Sequence, residues 1–335
     1  MLAAWRAGRC SSNCHGGAGY AWPRASLPVP ALPTLQDVNI PWGDSRCILC
    51  CRVARLTDEY IIPDYLGGRL AVPFLCGSCN SLLGQKVDPS AAKDPYVREA
   101  VLRLGAIGEP FKSQVLDGMP WLARTTGGPR KMLFTRKRGI DMLPYRDEAG
   151  ALNMPTVDAK ATIVRMLAKA GATVLEIAAA LDAFEAAPND CHVELGYGDV
   201  VFKSQTLAVT PVFEGPQMDD LLALKVAYEF MALHLEERVF NACFDPIREA
   251  LLTGDRTRAS GAAVVSRLLA DQQDPVHGLA LEQAAPSAGG HAVVHIRFFG
   301  RPTWRVAFPR LRYSGQRVVA TQDLVTGEVH LGRAT

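Results

Sequence analysis

Four cysteines in two C-x-x-C pairs, Cys47-Ile48-Leu49-Cys50 and Cys76-Gly77-Ser78-Cys79, are the residues of this chain whose spacing most constrains its chemistry. Each pair presents two sulfurs on one side of a tight turn, so two pairs close a tetrahedral Cys₄ shell around zinc with no open position. Such a site is structural. Assembled from an unfolded chain it supplies roughly 10–16 kcal/mol of apparent folding free energy at neutral pH, enough to fix a small unit with little apolar core. A redox role would normally use one C-x-x-C within a βαβ pattern, and no such pattern surrounds these pairs. Cys51 follows Cys50 directly; the two-residue spacing favours Cys50 as the ligand and leaves Cys51 spare.

The elements around the cysteines are short. Apolar runs at Ile61-Ile62 and Leu70 to Leu75 are broken by Pro63, Gly67-Gly68 and Pro73, a punctuation that predicts strands joined by turns. The run Asn80 to Val87 predicts a helix, so the unit reads as two strands and a helix around one metal.

These residues resemble a known family. Cys47-x-x-Cys50, Leu56-Thr57-x-Glu59-x-Ile61-Ile62-Pro63-x-x-Leu66-Gly67-Gly68, Cys76-x-x-Cys79-Asn80 and Gly84 are similar to the zinc-stapled branch of the HNH endonucleases. The likeness covers about 45 residues; Phe244-Asp245-Pro246-Ile247-Arg248 and Phe298-Phe299-Gly300 are similar to regions that follow such domains. The resemblance implies a ββα-metal unit that hydrolyses phosphodiester bonds, DNA being the expected substrate, with one divalent metal such as Mg²⁺ beside the structural zinc. It gives catalytic places to Glu59, Tyr60 and Asn80, Glu59 as a hard carboxylate ligand with Asp64 or Asp88 as a second.

Tyr60 departs from the pattern, because the family reads Glu-His-Ile-Ile-Pro and the histidine is the base that activates water. A phenol with an ordinary pKa near 10 stays protonated at neutral pH, and losing a positioned base typically costs about 10²–10⁴ in rate. The family's middle asparagine is also replaced, Val72-Pro73-Phe74 lying where it is often found. Tyr60 therefore has three readings: a packed aromatic in an inactive domain, a substrate-positioning hydroxyl, or a nucleophile. Two functions remain open, a metal-dependent endonuclease and a catalytically inactive nucleic-acid- or protein-binding module of the same fold.

A net charge of +2 creates no global field for nucleic acid, so binding must come from local patches. One candidate is the acid-free stretch with Arg124, Arg130, Lys131, Arg136, Lys137 and Arg138, able to lie along phosphates. The length of 335 residues and 48% hydrophobic content suit about two domains. No apolar run reaches the roughly 18 residues of a membrane span, and scattered cysteines suit a reducing compartment, the cytoplasm.

The expected fold class is α+β, a zinc-stapled ββα-metal unit followed by a mixed helical and antiparallel β region. Residues 1–40, Arg-containing and rich in Ala, Gly, Ser and Pro, read as a flexible extension, 41–90 as the HNH-like unit, and 91–335 as the α+β remainder. Cys10, Cys14 and His15 in the extension lack a fourth metal partner. In the remainder, Pro95 to Gly105 reads as helix and Gly127-Gly128 as a hairpin turn. Asp158 is expected to cap a helix ending at Gly171, and Thr173-Val174-Leu175-Glu176 is a capping box for a second helix to about Phe184. Nothing in that pair marks a DNA-recognition helix. Met218 to Arg238 reads as an amphipathic helix carrying His234 as a core histidine, with another helix through Leu252. Alternation from about 291 to 331 predicts an antiparallel sheet turning at Thr326-Gly327. Cys191-His192-Val193-Glu194 contains the H-x-E of zinc deaminases but lacks the later cysteine pair those require.

Overall fold

The computed structural model describes residues 37–335 apart from 106, 126–127, 138, 147–151, 155, 187–192, 198–199, 205–208, 213–218, 270–273, 286–288, 301 and 334–335. Residues 1–36 with Cys10, Cys14 and His15, the basic Arg138, and Cys191-His192 lie outside them; Val38–Asn39, within the 1–40 range expected as an extension, form a strand. The fold is α+β, and the described residues form two bodies, one within 37–117 and 219–333 and one within 118–212.

The first body begins with β1 (Val38–Asn39), β2 (Leu56–Tyr60) and β3 (Leu70–Cys76), followed by α1 (Gly77–Lys86), α2 (Ser90–Lys93), α3 (Pro95–Arg103) and α4 (Glu109–Val115). Strand β3 is central, pairing antiparallel with β2 and parallel with β1. Pro73 does not break it. Instead the register slips, Thr57 facing Leu75 and Glu59 facing Val72, so that Pro73 and Phe74 together oppose Asp58. Proline has no N–H for the ladder, and a bulge is where a strand tolerates it.

The β2–β3 connection needs its two glycines. Gly67 holds φ +90°, and a Cβ on Gly68 would lie 1.8 Å from the Ile62 carbonyl oxygen, so neither position accepts a side chain.

The second body contains β4 (Trp121–Thr125), β5 (Gly128–Thr135), β6 (Gly139–Met142), β7 (Tyr145–Arg146), β8 (Leu152–Asn153), α5 (Thr156–Lys169), α6 (Val174–Ala186), β9 (Val193–Tyr197), β10 (Val200–Ser204) and β11 (Val209–Val212). Four of its strands form a sheet in the order β11-β4-β5-β6. Helix α5 starts at Thr156, which puts Asp158 inside the first turn instead of at the cap. The Thr173 box forms as expected: Thr173 Oγ1 accepts from Glu176 N–H at 3.3 Å while the Glu176 carboxylate accepts from Thr173 N–H at 2.8 Å. Ile163, Leu167 and Ala180 are buried between α5 and α6.

The chain then returns to the first body with α7 (Asp220–Leu235), α8 (Asp245–Thr253), β12 (Val264–Leu269), β13 (Val276–Gln283), β14 (His291–Arg297), β15 (Pro302–Arg312), β16 (Val318–Asp323) and β17 (Val329–Arg333). These six strands make one antiparallel sheet in the order β12-β15-β14-β13-β16-β17. Helix α7 is not amphipathic. Every residue from Leu221 to Ala232 is buried, Lys225 and Glu229 included, because strands β12 to β15 cover one side and the cysteine-bearing unit covers another. Tyr228 Oη donates to the Ile48 carbonyl at 2.6 Å.

The sheet grips the β2–β3 connection as well. Gln322 accepts from Arg69 N–H at 3.0 Å and donates to the Gly67 carbonyl at 2.5 Å. His277 is fully buried, its Nδ1 accepting from Phe299 N–H at 3.2 Å; Nε2 therefore carries the proton and donates to the Leu66 carbonyl at 2.8 Å.

Candidate metal centre and acid cluster

The two C-x-x-C pairs converge. Cys47, Cys50, Cys76 and Cys79 place their sulfurs within 4.8 Å of one another, with Cys50 and Cys76 Sγ 3.8 Å apart. The first pair sits in a turn closed by Cys47 N–H to Arg52 O and Cys51 N–H to Cys47 O, each 2.9 Å. The second pair spans the end of β3 and the first turn of α1. Cys51 is exposed, takes φ +60° and lies outside the cluster. A hydrogen bond from Cys79 holds the Cys47 thiol below its ordinary value, against the opposing push of burial. Four sulfurs so arranged fit a structural zinc ion, which would take all four as thiolates.

The residues given catalytic places do not share one open site. Glu59, at the end of β2, is 5% exposed and turned inward, where Lys225 Nζ of α7 donates to its Oε1 at 2.5 Å. The same ammonium lies 3.2 Å from Asp88 Oδ1 and 3.5 Å from Glu229 Oε2. Burial pushes the Glu59 carboxyl above its ordinary value, and Lys225 pulls it back only in part. Burial pushes Glu229 well up. For Lys225 burial disfavours the charge, yet Glu229, Glu59 and Asp88 together outweigh it and hold its pKa above the usual lysine value. Asp64, the other candidate carboxylate, faces away from this cluster and pairs with Arg69.

Tyr60 points the opposite way from Glu59, as neighbours on a strand must. Its hydroxyl donates to Asp37 Oδ2 at 2.8 Å, and that hydrogen bond, with burial adding to it, pushes the phenol up to about 12. The group holds its proton throughout the neutral range. Asn80 is spent on the fold: its amide donates to Thr57 Oγ1 at 3.1 Å and to the Asp58 carbonyl at 2.9 Å, pinning α1 to the residue that faces the β3 bulge.

The residues therefore do not fit the divalent metal that the resemblance implies at Glu59. Its near carboxylate oxygen accepts from an ammonium, and the neighbouring strand position supplies a protonated phenol where a base is required.

The basic stretch is divided. Arg130 lies half-buried on the β5 face shared with buried Met132 and Phe134, its guanidinium 4.0 Å over the Tyr145 ring. Arg124 and Lys131 are exposed, and Arg136 and Lys137 are exposed in the turn after β5.

Sequence reading missed Lys225, Glu229 and Asp37. Lys225 and Glu229 carried a signal, being two charges four residues apart in a run otherwise apolar on every side, which must find partners inside the protein. Nothing marked Asp37.

Comparison with known families finds a match to the HNH endonuclease family over residues 47–95. No curated protein and no solved structure matches the chain. Among the described residues no helix is long and apolar enough to cross a membrane. In its sequence, in its order of two strands and a helix, and in its four gathered thiols, the 47–95 segment is similar to the HNH endonucleases in their zinc-stapled form.

Proposed function

We propose that this chain is an HNH-type nucleic-acid-binding protein whose zinc-stapled unit keeps the family's frame without hydrolysing phosphodiesters at Glu59, Tyr60 and Asn80. The observation that carries this reading is the 2.5 Å contact of Lys225 Nζ with Glu59 Oε1 in a fully buried position. Metal-assisted hydrolysis needs an ion with a face open to the phosphate and a base to take the proton of water. An ammonium in contact with Glu59 offers no such face, and Tyr60 offers no base. Binding is supported by Arg124, Lys131, Arg136 and Lys137, exposed within an acid-free stretch, and DNA is the expected ligand.

A second reading keeps the chemistry and moves it outward. Tyr60 Oη, Asp37 and Asp64 meet around Arg69, whose Nη1 pairs with Asp64 and lies 3.7 Å from Asp37. Asp37 and Asp64 are accessible carboxylates that a cation reaches without passing Lys225, and Tyr60 would there position substrate.

Purified full-length protein is assayed for plasmid binding and cleavage with Mg²⁺ or Mn²⁺, beside Glu59→Gln and Asp37→Asn/Asp64→Asn. Salt-sensitive binding without cleavage is the expected result. Cleavage that Glu59→Gln abolishes overturns the proposal. Cleavage that survives Glu59→Gln and disappears in Asp37→Asn/Asp64→Asn establishes the second reading, and no binding at any salt concentration removes both.

A further inference from the structure

Four ionisable groups meet inside the first body: Glu59 from β2, Asp88 from just beyond α1, and Lys225 with Glu229 from successive turns of α7. Their side chains are 6%, 15%, 0% and 1% exposed. Asp88 Oδ1 and Glu229 Oε2 are shielded from solvent and lie 3.2 Å and 3.5 Å from Lys225 Nζ as ion pairs without a well-directed hydrogen bond, and Glu229 Oε1 has no hydrogen-bond partner among the described residues. Three carboxylates that converge on one point with lone pairs unspent are a donor set for a hard cation. The point they converge on is Lys225 Nζ.

We infer that Lys225 Nζ is the resident cation of the HNH-like centre, standing between Glu59 and Asp88 in place of a divalent ion, and that removing its side chain turns the cluster into a divalent-cation site. The inference rests on the reading that the centre does not hydrolyse, and adds what keeps metal out of it. An ammonium has three protons to donate and here three carboxylates within 3.5 Å. It carries one positive charge, so three ionised carboxylates would leave the buried cluster at net −2. Burial pushes the Glu229 carboxyl well above its ordinary value and so opposes a third negative charge in the cluster. A divalent ion would neutralise Glu59 and Asp88 by itself, but it would have to coordinate oxygens at roughly 2.0–2.6 Å, the space the ammonium fills. Both cations cannot be present. The parent protein should therefore bind no Mg²⁺ or Mn²⁺ at Glu59, while loss of the lysine leaves oxygens, charge and room.

Full-length zinc-loaded parent, Lys225→Ala and Lys225→Ala/Glu59→Gln are titrated with Mn²⁺, which as a hard ion leaves the thiolate site alone. Binding is read by electron paramagnetic resonance and stability by thermal melting. The expected result is no Glu59-dependent Mn²⁺ binding and no Mn²⁺-dependent Tm shift in the parent. Lys225→Ala should melt lower, bind Mn²⁺ and recover Tm as Mn²⁺ rises; Lys225→Ala/Glu59→Gln should lose both responses. If Lys225→Ala does not fold, Lys225→Ala/Glu229→Gln, with less charge to bury, is used in its place. Mn²⁺ binding by the parent that Glu59→Gln removes overturns the inference, as does a folded lysine-less variant that gains no site. Failure of the non-hydrolytic reading looks different, appearing as Glu59-dependent DNA cleavage by the parent.

Discussion

Lys225 Nζ and Glu59 Oε1 lie 2.5 Å apart, both buried, and join the middle of α7 to the end of β2. Removing one partner strands the other charge without solvent, which typically costs about 3–5 kcal/mol, whereas replacing both by groups of similar shape costs much less. Lys225→Met alone and Glu59→Gln alone should therefore each destabilise strongly, and Lys225→Met/Glu59→Gln should be more stable than the sum predicts. Urea denaturation of the three variants checks this. Additive losses would mean the two side chains are not coupled.

The cysteine cluster predicts a clean asymmetry. Cys76→Ser should lose stoichiometric zinc and unfold the 47–87 segment, because the metal supplies roughly 10–16 kcal/mol of apparent folding free energy in such sites. Cys51→Ser should keep its zinc, since Cys51 is exposed and outside the cluster. Zinc content by atomic absorption and proteolysis of the two variants distinguish the outcomes, and equal zinc in both would place the metal elsewhere.

Restoring the family's histidine should not restore cleavage. Tyr60→His supplies a base, but Glu59 remains on Lys225, so plasmid nicking is expected to stay at background. Tyr60→His/Lys225→Ala with Mn²⁺ is the combination in which both obstacles are removed. Nicking by Tyr60→His alone would show that the ammonium is no obstacle.

The cysteine unit was legible because its information is local. Two C-x-x-C pairs, a turn with Pro63 and Gly67-Gly68, and a short helix all lie within about 45 residues, and the capping box at Thr173 to Glu176 is as local. The acid cluster was not legible, because its centre is 166 positions from Glu59 in the chain. Nor were strands β12 and β13 of the C-terminal sheet, which precede the alternation read from about residue 291. Helix α7 was recognised by its apolar spacing but read as amphipathic, and its burial on all sides became evident only from what packs around it. The Asn80 side chain carried the same ambiguity, its residue type suiting both a ligand and the clamp it forms on Asp58.

Stability should fall with acid through His277. Burial lowers its imidazole to about 4 from an ordinary 6.5, outweighing the opposing effect of its hydrogen bond to Leu66. The unfolded chain thus binds a proton that the folded chain refuses, so stability declines as pH drops from 6.5 to about 4 and levels off below. The loss is about 3 kcal/mol. His277→Gln should flatten that part of the pH profile, measured by chemical denaturation at successive pH values; an unchanged slope would exclude His277 as its source.

Nucleic-acid affinity should depend on the exposed basic residues and not equally on all of them. Lys131→Ala, Arg136→Ala and Lys137→Ala are each expected to weaken binding across sequences and reduce the salt slope by about one. Arg130→Ala should also lower thermal stability, since its guanidinium covers Tyr145. Fluorescence anisotropy over a salt series checks the first group, and unaltered slopes would move the contact surface off this hairpin.

The return of the chain to its first body after residue 212 has a consequence for biosynthesis. The zinc hairpins emerge from the ribosome long before α7, so a nascent chain that has captured its metal still presents Glu59 and Asp88 to solvent with no internal ammonium between them. During that interval the carboxylates are open to whatever cation the surroundings supply. Only the arrival of Lys225 closes the centre, which makes the last third of the protein a timed seal on the first.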